Sequence, residues 1–424
     1  MPPSVSINGA AQVLTPPEPG LPYLRHDRAR EMGKEAGGLT IDGETIAALE
    51  PSSEAALQID AGGCAVIPGL VDCHTHLPFA GWREREYAQK VAGESYEAIA
   101  RAGGGIRSSA RALSEATDEQ VLAQAGELAA EMLRHGTTTF ECKSGYGLSP
   151  DAEIRALELA RGLADRVQQP TTSTALLAHA VPEGYDADGW MDEVARLVPA
   201  AVQLGSVTAL DIYVESVAFT NEHLRRMGEL AGRHGLDLRA HVEQFSSSGS
   251  VPVAIEAGAR SVDHLACLPS EHVRPLAASE TAAVLLPGAE FMGREHLPPA
   301  RALADAGAIC VLATDLNPGT SPVASLPLII ALAVRMYGWT PTEALLACTL
   351  NAAWVLRHSH RTGSLEPGKR ADVLVLDGPI ERVPYRFGHN PVVLVLSGGR
   401  LVYVRPDHAP RVTGEHADHA ELVW

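Results

Sequence analysis

The stretch PGLVDCHTHLPFAG, residues 68–81, closes an apolar run with His74 and His76 one residue apart. In an extended chain, side chains two positions apart point the same way. Two imidazoles on one face at the end of a buried run are costly unless something satisfies their ring nitrogens, and a metal ion does so. Further candidates stand at the ends of later apolar runs: His179 in LLAHA, His241 and Gln244 in AHVEQ, His264 in VDH, and Asp315 with Asn317 in ATDLNPGT. Imidazoles with one carboxylate suit zinc or iron, whereas magnesium and calcium require more oxygen donors. Taken singly, each has a plain structural use: a histidine at a strand end can be a hydrogen-bonded core residue, and Asp315 could cap a helix. Lys143 in the second run could bridge a second metal, but the fourth run offers no lysine, so one metal is the better reading.

The elements that must position these residues repeat one phrase. Eight nearly continuous apolar runs fall at 65–76, 137–145, 171–180, 207–216, 237–244, 260–267, 281–288 and 308–317. Such runs read as strands covered on both faces. Helical segments separate them. TDEQ at 117–120 and TPTE at 340–343 read as capping boxes, and Ser149-Pro150 opens another helix. Gly136, Gly235, Gly258 and Gly307 each stand shortly before a strand, where a left-handed helix end belongs. Strand and helix alternating eight times predicts an α/β fold, a (β/α)8 barrel over residues 66–362, whose functional residues lie where strands end. His135 and His234 merely close helices, and the triple glycine 103–105 lacks the strand, helix and lysine of a phosphate loop.

The chain ends read as short alternating strands and turns. Residues 1–65 and 363–404 are expected to form one small composite β-domain, with 405–424 as a polar tail without period. Across 424 residues the net charge is −18, which argues against nucleic acid or an anionic membrane as partner. No apolar run reaches the roughly 18 residues of a membrane helix, and the start lacks the pattern of a leader. The six cysteines are scattered without C-x-x-C spacing, so free thiols in a reducing cytoplasm are expected.

With H-x-H after the first run, histidines after the fifth and sixth, and an aspartate after the eighth, the chain resembles the amidohydrolase superfamily. The resemblance implies a metal-dependent hydrolase on a TIM barrel, with a small β-sandwich built from both chain ends. HTHLPFAGWREREY, GESYEAIARAGGGI, ECKSGYGL, AHAVPEGY, HVEQFSSSG, LLPGAEF and ATDLNPGTSP narrow it further. They are similar to members that open the lactam ring of 4-imidazolone-5-propanoate, giving N-formimidoyl-L-glutamate in histidine degradation. This likeness runs from about residue 65 to 400.

Carried over position by position, the resemblance implies metal ligands at His74, His76, His241 and Asp315, holding one divalent or trivalent ion per subunit, zinc or iron. It implies substrate contacts at Arg83, Tyr96, Tyr146, His179, Gln244, Asn317, Gly319 and Thr320. Catalytic roles fall on Asp315, His264 and Gln244, with a metal-activated water as nucleophile and the identity of the base, Asp315 or His264, left open. Arg83 offers the forked donor that suits a propanoate carboxylate. Departures stand at Leu177, at VESVAF (214–219) and at the serine after HVEQF, all expected on the floor or walls of the pocket. A cytoplasmic homodimer with a small-molecule substrate is expected. The rival activities are hydrolysis of another cyclic amide and deamination of a nucleobase-like ring. A non-catalytic scaffold would show a broken ligand set.

Overall fold

The computed structural model describes residues 2–94, 99, 103–216, 218–293 and 296–414. Eight parallel strands form one sheet in chain order: β1 (Leu70–Asp72), β2 (Thr137–Lys143), β3 (Thr171–Ala178), β4 (Val207–Val214), β5 (Asp237–Val242), β6 (Ser261–His264), β7 (Ala282–Leu285) and β8 (Cys310–Leu312). An isolated parallel bridge between Thr75 and Leu316 joins the extensions of β1 and β8 and closes the barrel. Asp72 reinforces that seam, accepting the backbone N–H and hydroxyl of Thr314 at 3.1 and 2.6 Å. The sequence punctuation holds: Thr117 and Thr340 close capping boxes with Gln120 and Glu343, and Pro150 opens its helix. The long first crossover carries helices over Glu84–Val91, Ile106–Glu115 and Asp118–Arg134.

One apolar run divides where the sequence pattern reads a single barrel strand. Residues Ala65–Pro68 pair with Val373–Leu376 in a second sheet, and only Leu70–Asp72 enter the barrel. Gly69 makes the crossing: its N–H bonds to Asp372 at 2.9 Å, while that of Leu70 bonds to Gly136 at 2.9 Å. A Cβ at Gly69 would stand 2.1 Å from Thr138 Oγ1, so no larger residue fits there. His74 and His76 therefore lie past the strand end, where the Thr75 bridge keeps the backbone extended.

The second sheet has nine strands drawn from both chain ends. Its first strand, Val5–Thr15, pairs with Leu57–Asp60 through its first half and Ala65–Pro68 through its second. The two limbs share a core of Ile7, Ile41, Ile59, Leu365 and Val393, separate from the barrel's own. Residues 412–414 belong to this sheet, pairing antiparallel with Leu57–Asp60, although sequence pattern alone reads the chain after 404 as a tail. Three residues are too short to show an alternation.

The N-terminal segment also reaches the barrel. His26 lies at a single turn packed on helices Ala300–Asp305 and Pro341–Ala347, its ring 4.4 Å from that of Trp339. Neither ring nitrogen has a hydrogen-bond partner, and burial first, with Arg301 adding and Glu343 opposing, brings its pKa down to about 4. The folded chain holds this imidazole neutral, while the unfolded chain protonates it below about 6.5. Its contribution is therefore present above pH 6.5 and lost as pH falls toward 4, about 3 kcal/mol in all. The melting temperature should fall across pH 6.5 to 4.5, and His26→Phe should flatten that slope. Equal slopes for both chains would contradict it.

Candidate active site

At the carboxyl end of the barrel the side chains from separate strands converge. His74 and His76 follow β1, His179 follows β3, His241 lies in β5, His264 ends β6 and Asp315 follows β8. Glu243, His264, Leu265 and Asp315 all have left-handed backbones, φ between 52° and 83°. Such conformations cost non-glycine residues free energy and persist where surrounding bonds over-determine them. Here they do: Asp315 N–H donates to His74 C=O at 2.9 Å, and Cys267 N–H to Glu243 C=O at 2.7 Å.

The cluster fits a metal. His74, His76 and Asp315 each bring one donor atom within 4.8 Å of the others, and so do His74, His241 and His264. Asp315 Oδ1 lies 3.2 Å from His76 Nε2 and 3.5 Å from His74 Nε2. His74 Nε2, His241 Nε2 and Asp315 Oδ2 are buried without a hydrogen-bond partner. Orphaned polar atoms gathered in one buried cluster are what a cation would satisfy. Burial first, with nearby imidazoles and cations adding, holds His74 and His76 well below the usual imidazole range, the neutral form a ligand needs.

Two carboxylates set the imidazole tautomers. His74 Nδ1 lies 2.6 Å from Asp263 Oδ2, and His241 Nδ1 lies 3.0 Å from Asp211 Oδ1. Each Nδ1–H thus donates to an aspartate and leaves its Nε2 lone pair facing the cluster, as metal-binding histidines require. Sequence reasoning missed both aspartates. Their signal is a charge inside an otherwise apolar strand, in VTALDIYV and SVDH. Lys143 bridges no metal pair: its Nζ is ion-paired with Asp211 and Glu141 at 2.8 and 3.0 Å.

A pocket opens over the cluster. Arg83, Tyr146, His179, Gln244, Asn317 and Thr320 line it, as the sequence indicates, and Ile106, Tyr213 and Phe245 join them. Tyr96 falls outside the described residues. His179 stacks on His76 with ring centroids 5.3 Å apart and turns Nδ1 to Gly145 C=O at 3.0 Å. Asn317, in the pocket lining, also holds its own loop: its side chain accepts the N–H groups of Gly319 and Thr320 at 2.8 and 2.7 Å and donates to Asp315 C=O at 2.7 Å. It shapes the loop after β8 and presents Thr320.

That loop also braces Arg83, which stands at the start of the helix Glu84–Val91. The Arg83 N–H bonds to Pro318 C=O at 2.9 Å, and its guanidinium lies flat against Gly319. A Cβ on Gly319 would sit 1.7 Å from Arg83 Nη2, so Gly319 makes room and need not touch substrate. Gly319→Ala should raise KM about tenfold or more by displacing Arg83, with a smaller change in kcat. Steady-state kinetics read this, and an unchanged KM would remove Gly319 from substrate positioning.

Residues 65–402 match the Amidohydrolase family. The chain belongs to that family. It is 42% identical over 392 residues to the imidazolonepropionase of Rubrobacter xylanophilus, spanning 88% of this chain and 94% of the relative. It is 41% identical over 402 residues to the imidazolonepropionase of Paracoccus denitrificans, spanning 89% and 99%. Among solved structures it is similar to N-isopropylammelide isopropylaminohydrolase from Burkholderia multivorans, TM-score 0.69 at 19% identity over 95% and 98% of the two chains. An adenosine deaminase from Xanthomonas campestris, solved with bound zinc, gives 0.67 at 17% identity over 94% and 93%. Those two likenesses concern the barrel and its second sheet.

The departures from the amidohydrolase pattern now have positions. Leu177 faces the helix layer within the main core and is absent from the pocket lining, which corrects its expected place; its C=O accepts Trp190 Nε1–H at 2.8 Å. Glu215, in the VESVAF stretch, accepts the N–H groups of Phe245 and Ser246 at 2.9 and 3.1 Å and the Ser246 hydroxyl. Glu215, which keeps the pattern's glutamate, thus bonds to the departing Ser246 and holds the loop that carries Gln244. Glu153 acts likewise on the loop after β2, accepting from Gly145, Gly147 and Leu148 at 2.7–2.9 Å around Tyr146.

Proposed function

We propose that this amidohydrolase hydrolyses the ring C–N bond of 4-imidazolone-5-propanoate to N-formimidoyl-L-glutamate, the imidazolonepropionase reaction. One observation carries the reading: a single pocket holds the histidine and aspartate cluster together with a buried arginine whose Nε and Nη1 lack hydrogen-bond partners. The substrate has a lactam for the first and a carboxylate for the second.

His74, His76, His241 and Asp315 would hold one ion, zinc or iron. When bound, it would bring the pKa of a water from 15.7 toward ~7 and polarise the ring carbonyl. The remaining work belongs to side chains. Arg83 binds the propanoate as a charge-assisted fork and fixes the distance to the lactam. Asp315 takes the proton of the attacking water and returns it to the leaving ring nitrogen. His264 hydrogen-bonds the oxygen on which charge develops. Tyr146, Gln244 and Thr320 surround the ring, and Ile106 and Phe245 exclude bulk water.

Mass-spectrometric detection of N-formimidoyl-L-glutamate tests the reading, with metal-loaded protein given imidazolone propanoate made in situ. Dihydroorotate, hydantoin and guanine run in parallel. Turnover of the first alone supports it, and turnover of another ring alone overturns the assignment of Arg83. Elemental analysis of the purified chain decides between zinc and iron. The same reading places the enzyme in the cytoplasm as a homodimer, which fractionation and sedimentation velocity test. Among the described residues no helix is long and apolar enough to cross a membrane.

A further inference from the structure

Beneath the imidazole cluster lie two cations that the chemistry above does not use. Arg239 and Lys143 are both fully buried, and each serves an aspartate that orients a histidine. Arg239 Nη2 donates to Asp263 Oδ2 at 2.8 Å, and the same oxygen lies 2.6 Å from His74 Nδ1. Lys143 Nζ donates to Asp211 Oδ2 at 2.8 Å, and the other oxygen of Asp211 lies 3.0 Å from His241 Nδ1. The two arms meet at Glu141. Its Oε1 accepts from Arg239 Nη1 and from the Thr174 hydroxyl, and its Oε2 is ion-paired with Lys143 Nζ at 3.0 Å. Its main chain reaches the first histidines too, because Glu141 C=O accepts Thr75 Oγ1–H at 2.6 Å between His74 and His76.

We propose that Glu141 is a positioning residue that ties both histidine–aspartate–cation arms into one rigid frame and so sets metal affinity and kcat. This rests on the reading of His74 and His241 as ligands. Glu141 lies between two buried cations that would otherwise repel each other, and burial makes such repulsion strong. Without its charge, Arg239 and Lys143 move apart and take Asp263 and Asp211 with them. The Nδ1 acceptors then shift, and the Nε2 atoms no longer aim at one point. Second partners of ligating histidines typically govern metal affinity by about 10- to 100-fold. Among the described residues no hydrogen bond or ion pair joins Arg83 to the frame, so substrate carboxylate binding is independent of it.

The experiment compares the full-length chain with Glu141→Gln and Glu141→Asp. Metal dissociation constants come from competition with a chelating dye, and the visible absorption of the cobalt-loaded proteins reports ligand geometry. Glu141→Gln should weaken metal binding about 10- to 100-fold and shift the cobalt bands. At saturating metal it should lower kcat and leave KM unchanged. Glu141→Asp keeps the charge but is too short to reach both cations, and should fall between the two. If Glu141→Gln does not accumulate as folded protein, Glu141→Asp decides alone. A metal affinity and cobalt spectrum matching wild type in the folded variant overturn the inference while leaving the proposed function intact. A wild-type chain that binds no metal overturns both.

Discussion

Asp315→Asn, with its metal content restored and measured, is expected to lower kcat by about 10²- to 10⁴-fold with little change in KM. Asparagine keeps the shape and the left-handed backbone, which Asn tolerates better than most residues, so the loss is that of a proton acceptor. His264→Ala provides the comparison. Loss of one hydrogen bond to a developing charge should cost about 10²- to 10³-fold, and the two variants together should cost less than the product of each alone. If Asp315→Asn turned over normally once reloaded, the proton shuttle would belong elsewhere, with His264 first in line.

Arg83→Met is the second large effect. The guanidinium is buried, and the carboxylate of Glu86 stands 3.7 Å from Nε. A forked contact to a carboxylate there is a charged hydrogen-bond pair, about 3 kcal/mol, so KM should rise about 100-fold. Arg83→Lys should recover little, since an ammonium cannot match both carboxylate oxygens from that position. An imidazolone lacking the propanoate arm makes the test specific: wild type and Arg83→Met should then be equally poor. A variant that kept the wild-type KM for the acid would assign the carboxylate to another group.

Much of this architecture is readable from local chemistry. The eight runs declare their strands because each is buried on both faces, and the glycines and capping boxes mark where helices stop and start. The metal-type donors stand out because a histidine or aspartate at the end of an apolar run has few inexpensive alternatives. What escaped is non-local. That Gly69 passes one run between two sheets depends on Thr138, a residue from another strand. That Asn317 also braces the loop after β8 shows only once that loop is seen folding back on its side chain. Asp211, Asp263 and Glu141 announce themselves only as charges in apolar strands, and which histidine each one serves is a matter of strand register.

The seam where the barrel closes is also the place where the chemistry is assembled. His74 and His76 hang from its first strand and Asp315 from its last, and the main-chain bonds that join these ends, Asp315 N–H to His74 C=O and His76 N–H to Leu316 C=O, are each 2.9 Å. Partners so distant along the chain meet late in folding, after the loops between them have been closed. The donor set therefore cannot template the fold; it exists only once the ring of strands is complete. An ion held there acts as a staple across the last joint, stabilising the closed ring by its own binding energy. By the same reasoning, an ion bound there would tie β1, β5 and β8 together, and its removal should lower the melting temperature of the barrel.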